Sequence, residues 1–259
     1  MMRRSILLAA ALLLAAVVVP SCEKVDPDPD PDPEEVKTGT IQRISLSAAG
    51  LNRTLSTTVW LPAGYDENKT YPVLYLLHGY GDDNNSWNRK GYASSIADNY
   101  IQAKGVPMII AMPDALTTFY VGDFETYFHE VLVPEVETRF HGNGKRALAG
   151  LSMGGYGTLY YALKYPEKFT YAYAMSPASD EAGFRVLASM HEASFYPPIT
   201  VESGTDDLVV GIAGVRSLVE MLRESGLKCE FIERSGDHGW GFWQACLEKA
   251  LVVIGESFK

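Results

Sequence analysis

The segment Gly150-Leu151-Ser152-Met153-Gly154 places a serine between two glycines. A serine hydroxyl attacks a carbonyl only when a base removes its proton and donors stabilise the oxyanion that forms. The flanking residues give the motif its context. Arg146-Ala147-Leu148-Ala149 reads as a strand entering it, and Met153–Lys164 as a helix leaving it. Strand, tight turn and helix around G-x-S-x-G form a nucleophile elbow, where glycines let neighbouring backbone approach the serine closely. Ser152 is therefore the candidate nucleophile.

The chain has five histidines. His78, His129 and His141 precede the elbow, and His191 falls in a helical stretch. His238 sits in Gly236-Asp237-His238-Gly239-Trp240, directly after the last apolar strand, and is the candidate general base. An acid is expected after the preceding strand, Ile199–Glu202, where Ser203-Gly204-Thr205-Asp206-Asp207 follows. The order Ser, Asp, His is that of α/β-hydrolases. Neighbouring side chains point apart, so only one of Asp206 and Asp207 can orient the imidazole; the residues alone leave both open. The strand ending at Leu77 runs into His78-Gly79-Tyr80-Gly81. One backbone N–H from such a loop and one from the residue after the nucleophile build an oxyanion hole, which points to Tyr80 and Met153. His78 is read as support for this loop.

These residues need a scaffold that brings strand ends together. Thr40–Ala48 and Arg53–Leu61 read as an antiparallel hairpin. Apolar runs at Val73–Leu77, Met108–Met112, Ala147–Ala149, Tyr171–Met175, Ile199–Glu202 and Cys229–Ile232 then alternate with helical stretches near Tyr92–Lys104, Phe124–Phe140, Met153–Lys164, Gly183–His191, Val215–Glu224 and Gly241–Ile254. That alternation implies a mostly parallel central sheet with helices on both faces, an α/β-hydrolase fold with an N-terminal antiparallel hairpin. Pro134 predicts a kink or break within Phe124–Phe140. The interval from Ser176 to Pro198 holds about one helix, too little for a lid domain.

The ends of the sequence read differently. Met1–Arg4 is basic and Ile6–Val19 is apolar throughout. As a helix this run spans about 21 Å, short of the roughly 30 Å hydrocarbon core, so residues 1–21 read as a signal peptide. Val19-Pro20-Ser21-Cys22 resembles a bacterial lipobox, in which the cysteine is lipidated. Residues 22–37 carry repeated Asp-Pro pairs and form a stiff linker reaching about 50 Å. Residues 38–259 then form one domain. The expected partners are an ester substrate and, through a lipid anchor at Cys22, a membrane. The expected location is the cell envelope, as an outer-membrane lipoprotein. The net charge is −10 and no basic run occurs, which argues against nucleic acid. Cys229 and Cys246 are open to pairing or to remaining thiols. No CxxC or His/Cys cluster points to a metal, and no cofactor is expected.

Taken together, the chain resembles the esterase D-like family, which includes feruloyl and acetylxylan esterases, S-formylglutathione hydrolases and mycolyl acyltransferases. The resemblance rests on Leu76-Leu77-His78-Gly79, Pro113-Asp114, Gly150-Leu151-Ser152-Met153-Gly154-Gly155, Gly204-Thr205-Asp206-Asp207, and Gly236-Asp237-His238-Gly239-Trp240 with Trp243. The family's G-x-x-D pattern places the acid at its fourth position, which implies Asp207. The resemblance implies a serine esterase, and export with a spacer suits feruloyl or acetyl groups on plant polysaccharide. Acyl transfer to a sugar and non-catalytic carbohydrate binding are the alternatives. Phe119 and Tyr120, after Pro113-Asp114, and Trp240, beside His238, are the expected substrate-lining aromatics.

Overall fold

The structure is a computed structural model that describes residues 37–103 and 105–259. The expected signal peptide and lipidation site at Cys22, with the Asp-Pro repeats, fall outside the described residues.

β1 (Thr40–Ala48) and β2 (Arg53–Leu61) pair antiparallel from Thr40↔Leu61 to Ala48↔Arg53, forming the expected hairpin. Asn52 closes the turn with φ 51°, in the left-handed region that asparagine tolerates. The remaining strands are β3 (Tyr71–Leu77), β4 (Ile109–Pro113), β5 (Gly142–Leu151), β6 (Tyr171–Met175), β7 (Ile199–Gly204) and β8 (Cys229–Arg234). They join one eight-stranded sheet in the order β1-β2-β4-β3-β5-β6-β7-β8. β2 meets β4 antiparallel, and every pair from β4 to β8 is parallel. This is the α/β-hydrolase architecture the strand and helix pattern implies.

The helices are α1 (Ser86–Arg89), α2 (Ala93–Gln102), α3 (Asp123–Tyr127), α4 (Val133–Arg139), α5 (Met153–Lys164), α6 (Glu181–Ala188), α7 (Ile212–Glu224) and α8 (Trp240–Ser257). All of β3 is buried, and its side chains alternate between two cores. Leu74 and Leu76 join Ala97 of α2 and Leu247, Leu251 and Ile254 of α8. Val73, Tyr75 and Leu77 join Phe128, Leu159 of α5 and Leu218 of α7. A strand covered on both faces must be apolar at every position, which is why β3 reads as an unbroken apolar run.

Most elements match the sequence reading to within a few residues, and β5 departs further. β5 begins at Gly142, not Ala147, because its polar, largely exposed start pairs with Tyr71 and carries no apolar signal. The helix over Phe124–Phe140 breaks, as Pro134 predicts, into α3, a π turn at Phe128–Leu132, and α4. Pro134 sits in the first turn of α4, where its missing N–H is tolerated. Cys229 and Cys246 are both free thiols. The interval after β6 holds α6 and a short 3-10 turn at Ala193–Phe195. His78, Ser152, Asp207 and His238 follow the ends of β3, β5, β7 and β8, on the carboxyl edge where parallel sheets form ligand sites.

Candidate active site

Ser152 links β5 to α5 with φ 53° and ψ −113°, a strained conformation for a residue with a Cβ. Its surroundings hold it there. Its N–H donates to the Met175 carbonyl of β6 at 2.9 Å. Its own carbonyl accepts from Tyr156 at 2.9 Å and Ala178 at 3.1 Å. The flanking glycines are required by contact. A Cβ at Gly150 would lie 2.4 Å from the Gly154 carbonyl oxygen, and one at Gly154 would lie 2.4 Å from that of Leu77. The elbow therefore seats the end of β5 against the end of β3.

The loop after β3 stands on the other side. His78 is almost wholly buried; its Nε2 accepts from the Ala115 N–H at 2.9 Å, so Nδ1 carries the proton and donates to the Gly79 carbonyl at 2.7 Å. Both nitrogens are thus committed to loop structure. Trp87 braces the same turn by donating to the Leu77 carbonyl at 3.0 Å. A Cβ at Gly79 would lie 3.6 Å from the Ser152 Cβ, which brings this loop against the serine. Among the described residues, the N–H groups of Tyr80 and Met153 make no hydrogen bond. Two unspent amides beside a serine are what an oxyanion hole requires.

His238 Nδ1 lies 2.7 Å from Asp207 Oδ2. Asp207 Oδ1 accepts from the N–H groups of Val209 at 2.9 Å and Val210 at 3.1 Å. Burial would raise the Asp207 carboxyl, but the His238 hydrogen bond and these amides hold it below the usual carboxylate range. Asp206 turns away, accepting from Ser235 Oγ at 3.0 Å and the Gly236 N–H at 3.1 Å. The imidazole packs edge-on to Trp243, with centroids 4.9 Å apart. The arrangement leaves Nε2 as the free imidazole nitrogen. Among the described residues, Ser152 Oγ and His238 Nε2 are not hydrogen-bonded to each other; in unliganded enzymes such contacts often tighten only with substrate.

A cleft of about 480 Å³ opens over Ser152 and Met153, with Tyr80 and Phe119 on one side and Ala178, Ser179, Val209 and Val210 completing it. Phe119 is 37 % exposed and leans on Tyr80, ring centroids 6.1 Å apart. Tyr120 does not line the cleft, contrary to the sequence expectation. It is fully buried against Phe124 and Tyr161, and its hydroxyl donates to the His78 carbonyl at 3.0 Å. Phe119 and Tyr120 both have positive φ, and that turn sends one ring outward and the next into the core. Trp240 is also displaced from its expected role. It packs edge-on to Trp87 and Trp243, on the rim of the core beneath α8. Sequence reading missed the valine pair and the Ala178-Ser179 step. The one available signal was that Val209 and Val210 follow the acid within a single turn.

A mostly parallel sheet with a strained serine at its elbow, an Asp–His pair and two free amides is the arrangement of the α/β-hydrolase class. The chain belongs to the family described as "Putative esterase", whose model matches residues 48–254. It is 30% identical over 235 residues to an endo-1,4-beta-xylanase/feruloyl esterase of Xylanibacter ruminicola, covering 83% of this chain and 31% of that protein. It is 26% identical over 230 residues to an acetyl esterase of Caldicellulosiruptor saccharolyticus, covering 71% of this chain and 84% of that one. The chain thus spans about a third of the xylanase/feruloyl esterase's length. Among solved structures, a ferulic acid esterase superposes with a TM-score of 0.77 at 25% identity, covering 86% of this chain and 100% of that one. The ferulic acid esterase of Anaeromyces mucronatus, solved with ferulic acid, gives 0.75 at 24% identity, covering 88% and 95%; it supports the fold.

Proposed function

We propose that this chain hydrolyses carboxylic esters through an acyl-enzyme on Ser152. The observation that carries the reading is the Asp207–His238 hydrogen bond of 2.7 Å at the same sheet edge as a serine strained to φ 53°. His238 Nε2 takes the Ser152 proton as Oγ attacks the ester carbonyl. Asp207 holds the imidazole in the tautomer that leaves Nε2 free, and stabilises the imidazolium. The N–H groups of Tyr80 and Met153 receive the oxyanion. The imidazolium returns its proton to the leaving alcohol. Water, deprotonated by His238, then attacks the acyl carbonyl; the bond to Ser152 Oγ breaks, the imidazolium returns its proton to Oγ, and the acid leaves.

The proposed substrates are feruloyl or acetyl esters carried on plant polysaccharide. The cleft supports this: it opens to solvent with an aromatic wall at Tyr80 and Phe119, which suits a compact acyl group on a polymer and gives little cover for a long lipid tail. The relatives named above, one a xylanase/feruloyl esterase and one an acetyl esterase, point the same way. Lipidation at Cys22, with the Asp-Pro linker as spacer, would set the domain outside the cell membrane, where a polymer is accessible.

The test is an ester panel on the purified domain: p-nitrophenyl acetate, methyl ferulate and acetylated xylan, with p-nitrophenyl esters from C2 to C16. Turnover of the first three is expected, with no jump above the micelle threshold. The Ser152→Ala protein should lose about 10⁶-fold in kcat. A steady rise in kcat/KM to C16 with interfacial activation would replace this reading with a lipase. A folded Ser152→Ala protein retaining a tenth of the activity would remove Ser152 from the chemistry.

A further inference from the structure

The sheet face beneath α8 carries a buried charge cluster that the proposed chemistry does not use. Glu202, in β7, has no exposed surface. Gly204 is in register with Arg234 at the end of β8, so Glu202 and Arg234 lie two residues apart on one face. Arg234 Nε donates to Glu202 Oε1 at 2.5 Å. Lys249 Nζ of α8 donates to the same oxygen at 2.7 Å, and the Tyr173 hydroxyl donates to Oε2. Burial would raise the Glu202 carboxyl, but the bonds from Lys249, Tyr173 and Arg234 keep it below the usual carboxylate range. The carboxylate is therefore a fixed charged anchor in the core.

The rest of the guanidinium reaches elsewhere. One Nη donates to the Phe242 carbonyl, in the first turn of α8, at 2.9 Å. The guanidinium also lies 3.8 Å from the Phe242 ring centroid. Arg234 thus ties the end of β8 to the start of α8. The segment between them, Ser235–Gly239, carries His238. Phe242 presses on that segment directly: a Cβ at Gly236 would lie 2.2 Å from Phe242 Cδ2. From the other side, a Cβ at Gly204 would lie 2.1 Å from the Gly236 carbonyl oxygen. The histidine loop is clamped between the acid-bearing turn after β7 and the Phe242 ring.

We propose that Arg234 is a positioning residue for the reaction at Ser152: anchored on buried Glu202, it fixes the first turn of α8 and, through Phe242, the loop that presents His238. The proposal rests on the Ser152–Asp207–His238 reading. Arginine suits the role because its planar fork serves the carboxylate through Nε and the carbonyl through Nη at the same time. A lysine ammonium is a point charge that can keep the first contact and lose the second. Misplacing a catalytic group by about 1 Å from a distance can cost about 10²-fold in rate.

The experiment compares Arg234→Lys with wild type on p-nitrophenyl acetate, reading kcat, KM, the thermal midpoint and the rate at which a fluorophosphonate labels Ser152. Arg234→Lys keeps a cation beside Glu202, so the fold should survive. The expected result is a kcat lowered by about 10-fold to 10²-fold, KM within about twofold, and labelling slowed in proportion. Arg216→Met, which breaks an exposed ion pair with Glu233 between α7 and β8, should keep wild-type kcat. A folded Arg234→Lys protein with kcat within twofold of wild type overturns the proposal. If that variant does not fold, Phe242→Leu decides, since it leaves the charges intact: lowered kcat supports the clamp, and wild-type kcat overturns it. Ser152→Ala and His238→Ala are run in parallel. Retained turnover in those two sinks the triad reading itself, whereas their inactivity beside an unimpaired Arg234→Lys sinks only the role of Arg234.

Discussion

His238 shares its Nδ1 proton with Asp207 across 2.7 Å, while Asp206, one residue earlier, gives its carboxylate to Ser235 and the Gly236 N–H. Adjacent aspartates thus divide two tasks. One orients the imidazole, and the other closes the loop that carries it.

Replacing each in turn separates these tasks. Asp207→Asn should lower kcat by about 10⁴-fold, because an amide facing Nδ1 favours the wrong imidazole tautomer. Asp206→Asn keeps an oxygen for Ser235 and Gly236 and should cost less than about tenfold. Steady-state kinetics on p-nitrophenyl acetate would decide it, and the reverse order would hand the acid's role to Asp206.

The aromatic wall gives a selectivity prediction. Phe119→Ala should lower kcat/KM on methyl ferulate about tenfold, the scale of one lost aromatic contact, and leave p-nitrophenyl acetate within about twofold. Tyr120→Phe should act on stability, lowering the thermal midpoint by about 2–4 °C through the lost bond to His78, with ester preference unchanged. Equal losses on both esters in Phe119→Ala would show that Phe119 only packs the loop.

Stability should respond to pH through His129. This histidine packs against Phe128, Tyr161 and Tyr165, and its buried Nε2 has no hydrogen-bond partner among the described residues. Burial, with Lys168 nearby, lowers its pKa from 6.5 to about 4. Between those values the unfolded chain binds a proton that the folded one refuses, so acid favours unfolding. The contribution is full above pH 6.5 and is lost as pH falls toward about 4. Urea unfolding from pH 7.5 to 4.5 should show wild type losing stability faster than His129→Phe; parallel curves would show that His129 titrates normally.

The anchor is tested in cells. Cys22→Ala should move the protein from the membrane fraction to the soluble one, since acyl chains supply the membrane affinity. The released protein should keep full esterase activity. Membrane retention of Cys22→Ala would point to an uncleaved helix.

Much of the scaffold was legible because it depends on local pattern. The hairpin at Thr40–Ala48 and Arg53–Leu61, the strand at Tyr171–Met175 and the helix at Met153–Lys164 follow from side-chain alternation and from the elbow glycines. Ser152 and His238 stood out because each sits in a glycine-flanked turn at a strand's end. The order of Ser, Asp and His along the chain was equally plain.

What only the tertiary structure decided is which neighbour each side chain meets. Tyr120 and Phe119 are adjacent aromatics with the same local signal; positive φ at both residues, set by the packing of the loop, buries one and exposes the other. Trp240 beside His238 looked like a cleft residue, yet its half-buried ring packs edge-on against Trp87, from a distant part of the chain, at the rim of the core. The residues alone left Asp206 and Asp207 open, and only the family resemblance favoured Asp207; β8 beside β7 separates them physically, bringing Gly236 against one and His238 against the other. The partnership of Glu202 with Arg234 and Lys249 has the same origin. Sequence periodicity reports which face of an element is apolar. It carries no information about the long-range pairing that selects the atoms across that face.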